Sequence, residues 1–544
     1  MGYQPASRTA LVRLLRRAAG IARVSLHAPQ PLDELLELAH DRRIDRVRRR
    51  LLQGGASALL VSGCTTLPNP LQAKRDEVAI VGAGIAGLTT AWRLRQQGVR
   101  VRVYEAQARV GGRMFSLANH FPDGQVVELG GELIDTGHVR LRALATELAL
   151  PLDDLLEGDT GHDTWFFDGR AIAEDEIVRA FVPIIPAIDR DLAAAGDGAM
   201  DYRDGNPGFH ALDAISVSQW FDRNGIDGWL RKLLDVAYTT EMGLECGEQS
   251  ALNFLTFIGT DREAFKVFGE SDERSHVRGG NDRVPKALAA RMEDAIETGQ
   301  VLEAVRSDGS GFTLTFRSGA ATRDVRAQQV VLALPFTLLR QVRLDVELPP
   351  AKRRAIAELG YGSNAKLMIG FDRRPWRDGG ANGASMSDLA FQTTWETSRK
   401  QPGAAGILTN FTGGRHGVAL GEGSASEQAA RAVAELERMF PGVAAARIGG
   451  REARMHWPSH PWTLGSYACF RPGQWSSLRG AIGESVGGLH FAGEQCALET
   501  QGFMEGGCES GEQAAAAVAR QLGLPVAAAS RSRVRQAWKV DSTV

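Results

Sequence analysis

Val78-Ala79-Ile80-Val81-Gly82-Ala83-Gly84-Ile85-Ala86-Gly87 opens the part of the chain whose reading decides the fold. Its first four residues are a continuous apolar run, as a parallel strand covered on both faces requires. Glycines stand at 82, 84 and 87, Leu88 to Gln97 reads as a helix stopped by Gly98, and Val99 to Glu105 reads as a second strand. Gly82, Gly84 and Gly87 permit a tight turn and a close approach of backbone to a pyrophosphate, whose charge the amides and dipole of a helix N-terminus offset. Glu105 stands 23 residues after Gly82. At the end of the second strand its carboxylate accepts hydrogen bonds from both ribose hydroxyls and repels a 2′-phosphate. Strand, turn, helix, strand and acid together predict a dinucleotide-binding α/β unit; a glycine-rich structural turn is the plainer alternative.

The next residues separate the dinucleotide classes. After the acid-bearing strand a nicotinamide enzyme usually enters another crossover, whereas here Ala106-Gln107-Ala108-Arg109-Val110-Gly111-Gly112-Arg113 supplies a second glycine pair and an arginine. Arg113, after Gly112, brings a rigid fork of donors suited to a pyrophosphate. This Glu-x5-Gly-Gly-Arg spacing resembles the flavin-containing amine oxidase family, which includes monoamine, L-amino-acid and polyamine oxidases. From Asp76 to Leu522 the rest of the chain resembles it in order. Glu128-Leu129-Gly130-Gly131 resembles the second flavin-facing turn, Arg278 to Arg283 and the strand near Val301 the return past the adenine, and Val330 to Pro335 the strand ending at an Ala-Leu-Pro turn. Tyr361 to Phe371 resembles the strand of the active-site lysine. Trp457, Gly465-Ser466-Tyr467, Leu489 to Glu494, and Gly502-Phe503-Met504-Glu505-Gly506 before an Ala-rich helix complete the pattern.

The resemblance implies a Rossmann-like FAD-binding domain, built from 76–135, 275–340 and 455–522, interleaved with an α+β substrate-binding domain of 136–274 and 341–454. Residues 523–544 are left as a tail. It implies FAD held by Gly82, Gly84, Gly87, Glu105, Gly112, Arg113, Gly130, Gly131, Gly493, Glu494 and Met504, with Glu494 on the ribityl or phosphate region. The N-terminus of the last helix would then favour the negative charge of reduced flavin. Lys366, one of only eight lysines in a chain with 55 arginines, takes the place of the lysine that holds a water at flavin N5. Tyr467 and Phe503 take the places of the two aromatic walls, and Trp457 that of a tryptophan beside the ring. The implied chemistry is hydride transfer from the carbon of a primary amine or L-amino acid to flavin, with dioxygen reduced to peroxide and ammonia released. A monooxygenase or desaturase of the same superfamily, or a flavin-bearing protein without turnover, is the alternative. Where covalent relatives carry cysteine this chain has Ser466, so FAD is expected to be non-covalent. Where L-amino-acid oxidases carry a carboxylate-binding arginine it reads Leu129-Gly130-Gly131-Glu132, leaving Arg140, Arg399 and Arg415 as candidates for that role. Glu132 itself either favours a cationic substrate or braces the turn.

Composition agrees with a folded enzyme. Of 544 residues 43% are apolar and 24% charged, and a formal charge of −2 gives no general attraction to nucleic acid or acidic membranes. Glycine is in excess at 62 residues. Five cysteines without C-x-x-C spacing and eleven histidines without H-E-x-x-H predict no metal site. Residues 1–64 read as a leader: a basic amphipathic stretch, then Arg48-Arg49-Arg50-Leu51-Leu52-Gln53, similar to a twin-arginine signal, and Val61-Ser62-Gly63-Cys64, similar to a lipobox. An exported, periplasmic or lipid-anchored protein with its anchor at Cys64 is the expectation; a surface helix on a cytoplasmic protein, or a transit peptide, is the alternative. A small amine or amino acid and dioxygen are the expected partners, and a homodimer is left open.

Overall fold

A computed structural model describes residues 77–159, 161–258 and 272–525. The leader, Cys64 and nearly all of the 523–544 tail lie outside the described residues.

The opening motif folds as its sequence requires. Strand β1 (Val78–Val81), fully buried, leads through the glycine turn into helix α1 (Ile85–Gln96) and on to strand β2 (Val101–Tyr104). The helix begins three residues earlier than its pattern predicts, because Gly84 serves as its N-cap, and its N-terminus therefore rises directly from the turn. A short hairpin, β3 (Ser116–Leu117) with β4 (Val127–Glu128), follows, and then helix α2 (Val139–Glu147). Two strands, β5 (His162–Phe167) and β6 (Arg170–Ala171), precede a run of helices that reaches Ile258.

The chain then returns to the first sheet. Strands β7 (Ile296–Glu297), β8 (Val330–Leu332) and, much later, β14 (Leu489–Phe491) complete a five-stranded sheet in the order β14-β8-β1-β2-β7, parallel throughout. Val301–Ser307, expected to pass the adenine, lies in a separate four-stranded sheet with Phe312–Ser318, Ala321–Ala327 and Arg343–Asp345, and its first residues, Val301 and Leu302, line the same cavity as Glu105. Its alternating burial fits a sheet with one exposed face. Between β8 and β14 lie β9 (Ala365–Phe371), β10 (Ala381–Ser387), β11 (Thr393–Glu396), β12 (Gly406–Thr412) and β13 (Arg447–His456). With β5 and β6 they form a seven-stranded mixed sheet in the order β13-β9-β12-β11-β10-β5-β6.

Helix α3 (Met504–Gln521) closes the described chain and packs on α1, where the Thr90 hydroxyl donates to the Gly511 carbonyl at 3.0 Å. Apolar side chains of β1, β2, α1 and α3 share one buried cluster. This layering, helices on a parallel sheet, leaves the ends of β1, β8 and β14 facing the mixed sheet across a deep cleft.

Candidate functional site

One continuous cavity of about 1960 Å³, its open mouth included, runs between the two sheets. At one end the first turn of α1 meets it through Gly84, Ile85 and Ala86. Gly84 has ordinary extended backbone (φ −73°, ψ 175°), and a Cβ placed there would meet nothing within 4 Å. The open space in front of a helix N-terminus is what a pyrophosphate needs. Gly87 differs: its Cβ would lie 2.0 Å from the Gly82 carbonyl oxygen, and it does not line the cavity. It serves the packing of α1 against the turn and does not face a ligand. Gly82, Gly112, Gly130, Gly131 and Gly493 all line the cavity, as does Met504, whose side chain packs against Gly131.

The acids at this end are already engaged. Glu105 is buried and accepts the amides of Ala83 at 2.7 Å and Gln107 at 2.9 Å, and burial outweighs these donors to push its carboxyl above the ordinary value. Glu494, expected at the ribityl or phosphate region, lines the cavity but spends its carboxylate on protein. Oε1 takes Arg113 Nη1 at 2.9 Å and the Ala468 amide at 3.1 Å, and Oε2 takes the Gly502 amide at 2.8 Å. Arg113 also donates to the Ser466 carbonyl at 2.8 Å. The reason is electrostatic: an acid in a pocket built for phosphate is tolerated once an arginine and two amides neutralise it. Glu494 thus orients Arg113.

At the other end Lys366, Trp457, Tyr467 and Phe503 line the same cavity. Lys366 comes from β9, a strand buried at all seven positions between β12 and β13, so its charge has to find partners. It finds three: the Glu128 carbonyl at 2.9 Å, the Gly130 carbonyl at 3.0 Å and Glu132 Oε2 at 2.7 Å. These acceptors engage the ammonium that family resemblance assigns to a water. Trp457 donates from Nε1 to the Leu129 carbonyl at 3.2 Å, bracing the same turn. Tyr467 is half-buried with its hydroxyl donating to the Glu241 carbonyl at 2.9 Å, and the Phe503 ring lies 5.1 Å from that of His138. Phe503 is also the N-cap of α3. In the first turn of that helix Glu505 turns away to accept the amides of Arg140 and Leu141 at 2.9 and 2.8 Å, capping α2.

None of the three arginines considered for a substrate carboxylate lines the cavity. Arg140 pairs with Glu505 and Glu512, Arg399 with Asp159, and Arg415, largely exposed, with Glu245. Each is held by a carboxylate that does not line the cavity. Sequence reading also missed part of the lining: Asp135, Glu273, Trp395, Phe411 and Trp462. Asp135 stands four residues after Gly131 and was open to discovery from that turn; Glu273 carries no local signal. The described cysteines, Cys246, Cys469, Cys496 and Cys508, are buried and free, and none lines the cavity.

Comparison with known proteins gives this arrangement its family. The model of flavin containing amine oxidoreductases matches residues 85–519. The chain is 26% identical over 465 residues to an L-amino acid dehydrogenase of Synechocystis sp., covering 81% of this chain and 94% of that one. It is 27% identical over 457 residues to a putative flavin-containing monoamine oxidase of Mycobacterium tuberculosis, covering 82% and 97%. Among solved structures, cyclohexylamine oxidase from Brevibacterium oxydans superposes with a TM-score of 0.73 at 26% identity, covering 82% of this chain and 99% of that one. A glycine cradle at a helix N-terminus, a parallel sheet and a lysine-bearing mixed sheet around one cavity, together with a match over most of the chain, have one explanation: the chain belongs to the flavin-containing amine oxidoreductase family, with FAD as its cofactor.

Proposed function

We infer that the protein oxidises a primary amine bearing a second cationic group, passing a hydride from the carbon next to nitrogen to FAD and the electrons on to dioxygen. The observation that carries this reading is the charge of the cavity wall. Its basic side chains are Arg113 and Lys366, bound to Glu494 and Glu132, and the buried acids outnumber them: Asp135, whose Oδ1 accepts the Glu273 amide at 2.7 Å, and Glu273 also line the wall. Such a wall attracts a cation and disfavours a free carboxylate. Tyr467, Phe503 and Trp457 supply aromatic surface that accommodates an amine and excludes water. Bound FAD supplies the hydride acceptor; the chain's own groups orient the amine and keep the site dry. A cavity without cysteine supports non-covalent binding.

The competing reading, an L-amino acid, draws on the Synechocystis relative and requires a carboxylate partner that Arg140, Arg399 and Arg415 do not supply. The test is anaerobic bleaching of the flavin by a panel of diamines, monoamines and the twenty amino acids, followed by peroxide formation in air. Diamines are expected to bleach fastest. Bleaching by amino acids alone would overturn the reading, and a flavin that bleaches but yields no peroxide would replace dioxygen by another acceptor.

A further inference from the structure

Lys366 is held in an unusual way. All three acceptors of its ammonium lie in the five residues from Glu128 to Glu132, and only Glu132 among them offers a carboxylate to it. The other oxygen of Glu132 faces the mixed sheet, where Oε1 accepts Trp395 Nε1 at 2.9 Å and the Thr397 hydroxyl at 2.8 Å. Its side chain is 5% exposed. One carboxylate on a glycine turn thus joins that turn to β9 through Lys366 and to β11 through Trp395. The backbone of the turn is fixed separately, by Asn281 Nδ2 on the carbonyls of Gly131 at 3.0 Å and Glu132 at 2.7 Å.

We propose that Glu132 is the positioning residue of the site: its carboxylate pins the Lys366 side chain at the glycine turn, so that electrons leave the flavin beside a fixed cation. The proposal rests on the flavin site and not on the identity of the amine. Among the described residues Glu132 is the one whose carboxylate touches Lys366. Glu128 points its carboxyl away, to the Asn281 amide at 2.7 Å and the Ser116 hydroxyl at 2.8 Å, and burial pushes it up to about 7. His276, on the strand Ser275–Val277, is pulled below its ordinary value by burial, and so adds no fixed charge near neutrality. Lys366 itself holds Glu132 below the usual carboxylate range, despite burial.

The protein contains its own control. Lys352 is equally buried, but its ammonium meets the Ile482 carbonyl and the Phe491 ring, 3.9 Å away, and no carboxylate. Burial pulls it down to about 8. Lys366 differs from it in having the Glu132 carboxylate at 2.7 Å, its aromatic neighbour being Trp395 at 5.3 Å.

The experiment needs no substrate. Holoprotein is photoreduced without oxygen, then mixed with air-saturated buffer from pH 6 to 10, and flavin reoxidation is followed by absorbance. Glu132→Gln should reoxidise about tenfold more slowly than wild type at each pH, and Glu132→Asp should restore most of the rate. Because Glu132 acts through Lys366, the double variant Glu132→Gln, Lys366→Met should reoxidise no more slowly than Lys366→Met. A wild-type rate for Glu132→Gln, or a double variant clearly slower than Lys366→Met, would overturn the proposal. If Glu132→Gln does not fold, recovery of soluble holoprotein by the double variant supports the pairing. Failure of both variants to fold assigns Glu132 to the architecture of the turn and overturns it.

Discussion

Replacing Glu494 by Gln should loosen the cofactor end of the cavity by an amount that the geometry allows to be estimated. The carboxylate receives Arg113 Nη1 and the Ala468 amide on one oxygen and the Gly502 amide on the other. A glutamine can keep its oxygen toward Arg113 and Ala468, but its NH2 then faces the Gly502 N–H, donor against donor. Losing that charge-assisted bond and leaving a buried amide without an acceptor costs about 2 kcal/mol. Arg113 also loses its counter-charge; its side chain is 24% exposed, so water screens the loss to about 1 kcal/mol. The sum is about 3 kcal/mol, part of it felt by FAD because Arg113 and Gly502 both line the cavity. Urea titration followed by flavin fluorescence measures the retention of FAD in wild type and variant. A free energy of flavin release within about 0.5 kcal/mol of wild type, a typical surface-substitution effect, would refute the assignment of Glu494 as the anchor of Arg113.

Other perturbations separate folding from binding. Gly84→Val adds a side chain in open space at unstrained backbone, so circular dichroism and apoprotein stability should stay within about 1 kcal/mol of wild type while FAD affinity falls at least about a hundredfold, a loss of about 2.7 kcal/mol; retained affinity would remove the pyrophosphate from this turn. Glu128, pushed up to about 7 by burial, binds its proton more tightly folded than unfolded. Its contribution to stability is therefore full below about 4.5 and lost as pH rises through 7, about 3 kcal/mol in all. Glu128→Gln should flatten the decline in urea stability between pH 5 and 8, and an unchanged decline would show that another group carries it. Cys64→Ser should move the protein from the membrane to the soluble fraction if the Val61-Ser62-Gly63-Cys64 sequence is acylated; an unaltered distribution excludes a lipid anchor there.

What could be read directly from sequence was whatever is encoded within about thirty residues. The β1-turn-α1-β2 unit is legible because an apolar run, a glycine spacing and a helical period each have a local cause, and together they leave few alternatives. Lys366 stood out for a related reason: a charge inside an apolar strand is expensive wherever the strand lies. Its partners did not stand out. Glu132 is 234 residues away in sequence, and Glu494 is 381 residues from Arg113. No periodicity links such pairs, and their side chains meet only once the parallel and mixed sheets face each other. The same separation governs where other charged side chains turn. Glu494 lines the cavity as its turn does, but the direction of its carboxylate depends on which donors the fold brings to it. The three arginines were kept as candidates because charge is visible in sequence and commitment to a partner is not. Sequence alone thus determined the cofactor-binding architecture and the residue types at the site, through short-range sterics and patterning. Tertiary structure decided which partner each charge in the cavity engages, because neutralisation of a buried ion depends on neighbours that only the folded chain assembles.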